Sequence, residues 1–165
     1  MSRKAIIILT ALMVLVVIGC GKPDKSAQGF WDAGIACYQD QDFKGCVKEY
    51  ENLIKFYPED TLAVPTLFAL SEIYKNNLND LPRAIKTYER IIEKYPTSEK
   101  APNALFMIGY MYANEMKDLA KARETYTEFI QKYPDNILVP SAQWELENLG
   151  KSLDEIPELK NIKKK

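Results

Sequence analysis

Apolar side chains recur at three- and four-residue steps along most of the chain. Leu105, Ile108, Met111 and Tyr112 form one such set, and Ala122, Tyr126, Phe129 and Ile130 form the next. This is the spacing of amphipathic helices, not strands. The pattern itself repeats. Tyr57-Pro58, Tyr95-Pro96 and Tyr133-Pro134 stand 38 residues apart, and so do Asp42, Asp80 and Asp118. Phe43, Leu81 and Leu119 keep the same step, as do Tyr50, Tyr88 and Tyr126, then Ile54, Ile92 and Ile130, and the small set Cys46, Ala84 and Ala122. Six sets in register mark a repeat array, in which each unit buries its apolar face against its neighbours.

Start and stop signals divide each unit into two helices. Asp42, Asp80 and Asp118 precede the second helix, where a carboxylate accepts from unpaired N–H groups and complements the helix dipole. Thr61, Ser98 and Asn136 are expected to cap the first helix of the following unit, each with a proline four residues on: Pro65, Pro102 and Pro140. Proline is tolerated in a first turn, where its missing N–H would have been unpaired anyway. The Tyr-Pro pairs end the second helices, because a residue before proline is pushed out of the helical region. The pattern predicts three helical hairpins followed by a single helix from Asn136 to about Lys151.

These positions resemble the tetratricopeptide repeat. Gly109, Tyr112, Ala122, Tyr126 and Pro134 match its small, aromatic, alanine, aromatic and proline positions best. Ser71, Tyr74, Ala84, Tyr88 and Pro96 match in the second unit, and Gly34, Cys37, Cys46, Tyr50 and Pro58 more loosely in the first. The period is longer than that family's 34 residues. Extra residues fall after Tyr-Pro, and one falls at the turn between the two helices of units two and three. Long repeats ending in Tyr-Pro are similar to those of the helical lipoprotein of the outer-membrane β-barrel assembly machinery and of the Tol–Pal-associated coordinator. The resemblance implies an all-α, right-handed solenoid of three hairpins with a C-terminal capping helix. Its elongated concave surface suits a peptide or a partner helix.

The N-terminus reads as a targeting segment outside this fold. Arg3 and Lys4 precede an apolar run from Ala5 to Ile18, shorter than the ~20 residues a membrane-spanning helix needs. The run meets Val17-Ile18-Gly19-Cys20, which resembles the lipobox of bacterial lipoproteins. That resemblance implies cleavage before Cys20 and a covalent lipid on it. In the lipoproteins it resembles, an aspartate after the cysteine favours the inner membrane; Gly21 stands there instead, which implies the outer membrane facing the periplasm, with the inner membrane or a single-membrane envelope as the alternatives. The expected organisation is a signal peptide over 1–19, a polar tether over 20–27, the repeat domain over 28–151 and a basic tail over 152–165 ending in Lys163, Lys164 and Lys165.

Composition narrows the chemistry. The chain has no histidine, which removes the commonest general base and zinc ligand together. Its net charge of −1 creates no field that would recruit nucleic acid. No glycine-rich phosphate loop or nucleophile motif is present among the seven glycines. No cofactor is expected besides the lipid on Cys20, and no metal. Asp40, Asp42, Glu59 and Asp60 fall at helix ends, and Glu49, Glu89, Glu93 and Glu128 on polar helix faces.

Two features stand out as candidate sites. Trp31, Phe68, Phe106 and Trp144 recur on the first helix of successive units, with Tyr38 and Tyr110 nearby. They form either an aromatic ladder that grips a partner segment or packing between hairpins. Cys37 and Cys46 flank the first hairpin's turn. They are either a disulfide staple, in an oxidising compartment, or two buried thiols. The reading that follows is a non-enzymatic adaptor in the bacterial envelope, for which the resemblance implies a task in outer-membrane protein assembly or in an envelope complex. Its partners would be other envelope proteins or peptide segments. A pilotin-like escort for a secretin or pilus is the alternative within binding modules. A peptidoglycan-acting enzyme is the alternative from another class, and it would need two inward-facing carboxylates in one pocket.

Overall fold

The computed structural model describes residues 23–156. Among these residues there are seven α-helices and no strand. They are α1 (Ala27–Gln39), α2 (Phe43–Phe56), α3 (Ala63–Glu72), α4 (Leu81–Lys94), α5 (Ala101–Tyr110), α6 (Leu119–Lys132) and α7 (Val139–Asn148). Each packs on its sequence neighbours, so α1–α2, α3–α4 and α5–α6 are hairpins and α7 lies on α6. The chain is an all-helical array of the tetratricopeptide type.

The predicted caps of the second helices are present. Oδ1 of Asp42, Asp80 and Asp118 accepts from the N–H of Gly45, Arg83 and Lys121 at 2.9, 3.0 and 3.1 Å. The predicted caps of the first helices are not. α3, α5 and α7 begin after Leu62, Lys100 and Leu138, with no side-chain cap. One turn earlier, the side chains of Asp60, Ser98 and Asn136 accept from the N–H two residues on, at 2.9, 3.2 and 2.9 Å. Thr61 is therefore displaced by Asp60, which keeps the 38-residue register that Thr61 breaks. The side-chain oxygen closes a turn instead of capping the helix. The prolines do fall in the first turns of these helices.

The extra residue of units two and three lies within the first helix rather than in the turn. α3 and α5 continue as π-helical turns over Ile73–Asn77 and Met111–Glu115. Leu78 N–H donates to the Ile73 carbonyl and Met116 N–H to that of Met111, both across five residues. Widening the last turn absorbs the insertion while keeping the backbone paired. The chain then reverses through one left-handed residue before each aspartate: Gln41, Asn79 and Lys117, with φ of 60°, 51° and 56°.

The ends also differ from the expected boundaries. Lys25 and Ser26, assigned to the tether, already belong to the fold. Lys25 Nζ lies 2.7 Å from a Glu49 oxygen, its carbonyl accepts from the Tyr57 hydroxyl at 2.9 Å, and Ser26 caps α1. α7 stops at Asn148 instead of running to Lys151, and Ile156 beyond it is buried. No helix among the described residues is long and apolar enough to cross a membrane. Cys20, the signal segment and the lysine tail lie outside the described residues.

The core is built from the same places in each unit. Cys46, Ala84 and Ala122 are fully buried, as are Leu53, Ile91 and Phe129. Small residues at the first set let paired helices approach, and large residues at the second fill the space between hairpins.

Candidate protein-binding face

Position 34, 71 or 109 of each first helix is glycine or serine. At Gly34 and Gly109 the reason is visible, because the ring of Tyr50 or Tyr126 lies directly against the helix backbone. Tyr50, Tyr88 and Tyr126 are all buried. One helical turn before each small residue stands an aromatic side chain, which packs on that same tyrosine. Trp31 stacks on Tyr50 with centroids 5.5 Å apart, Phe68 meets Tyr88 edge-on at 5.3 Å, and Phe106 lies tilted on Tyr126 at 5.5 Å.

The six candidate aromatics do not form one continuous ladder. Trp31, Phe68 and Phe106 are half-buried. Phe68 and Phe106 line a common groove of about 380 Å³ between α3 and α5, with Glu72, Asn103 and Met107 beside them and Tyr88 at its base. Trp144, 39% exposed, lines a separate hollow with Leu119, Leu149 and Ile156. It has no tyrosine to lie on, since among the described residues no second α-helix follows α7. Tyr38 is 50% exposed and meets Phe43 edge-on at the hairpin end, away from the groove. Tyr110, 37% exposed, is on α5 one residue beyond Gly109.

Glu72 and Tyr88 were not visible as a pair in the sequence. The Tyr88 hydroxyl donates to Glu72 Oε1 at 2.6 Å, and Asn76 donates to the other oxygen at 2.7 Å. Burial alone would raise the Glu72 carboxyl, but these hydrogen bonds and Lys75 outweigh it and hold the group below the usual carboxylate range. Burial and the same hydrogen bond push the Tyr88 phenol far up. In the next unit Tyr110 stands where Glu72 does, and the Tyr126 hydroxyl is buried with no hydrogen-bond partner among the described residues. Burial also pushes Glu145, nearby on α7, above the ordinary value. The α3–α5 groove thus carries one carboxylate, held ionised, on an aromatic floor.

Cys37 and Cys46 are free thiols in this structure. Cys46 is fully buried, and burial pushes its thiol up to about 11, with the Cys37 thiol adding to the shift. It fills the place of Ala84 and Ala122.

The model of the family YfiO, described as outer membrane lipoprotein, matches residues 23–157. The chain belongs to this family. The match spans the whole helical array, so the repeat fold and the envelope-lipoprotein character come together. No curated protein matches the chain. Membership in the outer membrane lipoprotein family makes this an envelope lipoprotein of helical-repeat type.

Proposed function

We propose that this YfiO-family protein is a non-catalytic adaptor, anchored by a lipid on Cys20 to the periplasmic side of the outer membrane. In this reading it holds a segment of a partner protein in the α3–α5 groove, in support of outer-membrane protein assembly or of another envelope complex. The observation that carries the reading is the pairing of Phe68 and Phe106 along one open groove. Their inner faces rest on Tyr88 and Tyr126, which holds the rings rigid before any partner arrives. Rigid aromatic anchors lose little entropy on binding and dominate the energetics of protein interfaces. Asn103 and ionised Glu72 at the rim would satisfy backbone or cationic groups of the segment.

The test is photocrosslinking in cells, with the probe at Asn103 and Met107, which line the groove without carrying the ring contacts. Discrete adducts at both positions, absent from a probe at exposed Glu99, support the reading. Folded, lipidated protein with no adduct at either position rejects it. Cys20→Ala, followed by fractionation, tests the anchor separately: the variant should leave the membrane fraction.

A further inference from the structure

The opposite face of the array carries a second groove, in which glutamates replace the cations of the preceding repeat. In the preceding repeat the four positions in its register are Glu51 and Lys55 on α2 and Lys86 and Arg90 on α4. Arg90 bridges these two helices, donating to both oxygens of Glu51 at 2.7 and 3.0 Å. One repeat further on, between α4 and α6, the same four positions are Glu89, Glu93, Glu124 and Glu128. Every cation of the preceding repeat has become a glutamate, so the bridging pair Glu51–Arg90 is replaced by Glu89 and Glu128.

This α4–α6 groove is open, about 530 Å³, and all four glutamates line it. Its floor is apolar, made by Ile92, Leu105, Ile108 and Tyr112. The cations present are already engaged. Lys121 lies 3.6 Å from Asp118 and over the Tyr112 ring, and Lys132 lies 3.8 Å from Glu128. Glu89, Glu93 and Glu124 have no ion-pair partner among the described residues.

We propose that the α4–α6 groove is a second docking site, which receives a basic, apolar segment of a partner protein. An arginine or lysine of that segment takes the place Arg90 holds in the preceding repeat, between Glu89 and Glu128, while its apolar neighbours cover Ile92, Leu105 and Tyr112. Charge complementarity selects the occupant: like charges facing across a groove repel, and a cation between them relieves the repulsion. The site stands apart from the α3–α5 groove and does not depend on it. Together the two faces would let one lipoprotein hold two partners.

The experiment is fluorescence anisotropy of the full chain with a labelled peptide of alternating leucine and lysine, and with its leucine–glutamate counterpart. The lysine peptide should bind, and the glutamate peptide should not. E89Q/E128Q should weaken binding about tenfold, the loss typical of a charge-assisted contact. E128R, which restores the Arg90 arrangement, should abolish binding while its Tm is unchanged or higher. E99Q/E147Q removes the same charge from exposed positions outside the groove and should leave binding intact. Equal loss in E99Q/E147Q, or undiminished binding in E128R, would overturn the proposal by showing attraction to overall charge only. Self-association in sedimentation that E128R abolishes would overturn it too, by making a second copy the occupant.

Discussion

The hydroxyl of Tyr95 donates to the carbonyl oxygen of Pro58, 2.7 Å away, and so ties the end of the second hairpin to the end of the first. Tyr57 bonds instead to the carbonyl of Lys25, just before α1 of its own hairpin. The Tyr-Pro pair therefore does two things. At Tyr95-Pro96 the proline stops the helix, and the tyrosine ties one hairpin to the one before it. The third member departs from the pattern, because the Tyr133 hydroxyl is buried and has no partner among the described residues.

That difference predicts opposite results from one substitution. Tyr95→Phe should lower stability by about 0.5–1 kcal/mol, the usual worth of a hydrogen bond at a partly exposed site. Tyr133→Phe should be neutral or stabilising, since it removes a buried hydroxyl without a partner. Urea unfolding of both variants beside the parent checks the order.

The small residues under the tyrosines predict a graded response to alanine. A Cβ at Gly109 would meet the Tyr126 ring at 2.8 Å, and one at Gly34 would overlap the Tyr50 ring more deeply. Helix propensity alone would favour alanine by about 1 kcal/mol. Overpacking a buried ring costs about 1–3 kcal/mol, so it should win at Gly34 and come close to balance at Gly109. Thermal unfolding should therefore place Gly34→Ala well below Gly109→Ala.

Lys117 occupies a left-handed backbone position where glycine would be unstrained. Lys117→Gly should stabilise the protein by roughly 0.5–1 kcal/mol, the strain relieved exceeding the added freedom of the unfolded chain. Asn79 holds the same conformation at less cost, because its short polar side chain tolerates it. Asn79→Ala should accordingly destabilise. A rise in Tm for the first and a fall for the second is the expected pair of outcomes.

The array was legible because its strongest marks are identical residues in register. Tyr-Pro, the capping aspartates and Tyr50, Tyr88 and Tyr126 all lie where their spacing predicts. What escaped the sequence is what differs between units. Leu53, Ile91 and Phe129 are buried more completely than the more nearly identical set Ile54, Ile92 and Ile130. Burial selects size and apolarity, and three different side chains meet that need equally well. Asp60 escaped for the same reason, while Ser98 and Asn136 are marked by position but close a turn instead of capping: three residue types share that role. The aromatic candidates were found by position, but their fates depend on what covers them. Phe68 and Phe106 rest on tyrosines, whereas Trp144 has none. The Glu72–Tyr88 bond joins two helices 16 residues apart in only one of the three units, so no repeat signal marks it.

That bond and Glu145 give the stability a pH dependence with two opposing parts. Glu72 is held below its ordinary value in the folded chain, although burial opposes it, because Tyr88, Asn76 and Lys75 favour the ionised form. Its contribution is present above the unfolded value of about 4.3 and is lost as pH falls through the folded value. Glu145 is raised by burial, so ionising it costs the folded state more than the unfolded one. That penalty is absent in acid and appears as pH rises through the ordinary value to the folded one. At pH 7, Glu72→Gln should therefore lower Tm and Glu145→Gln should raise it. Below the ordinary carboxylate range both differences should shrink. Thermal unfolding of the two variants from pH 3 to 7 checks the signs. A Glu145→Gln variant less stable than the parent at pH 7 would mean that this carboxylate has a favourable partner in the folded chain.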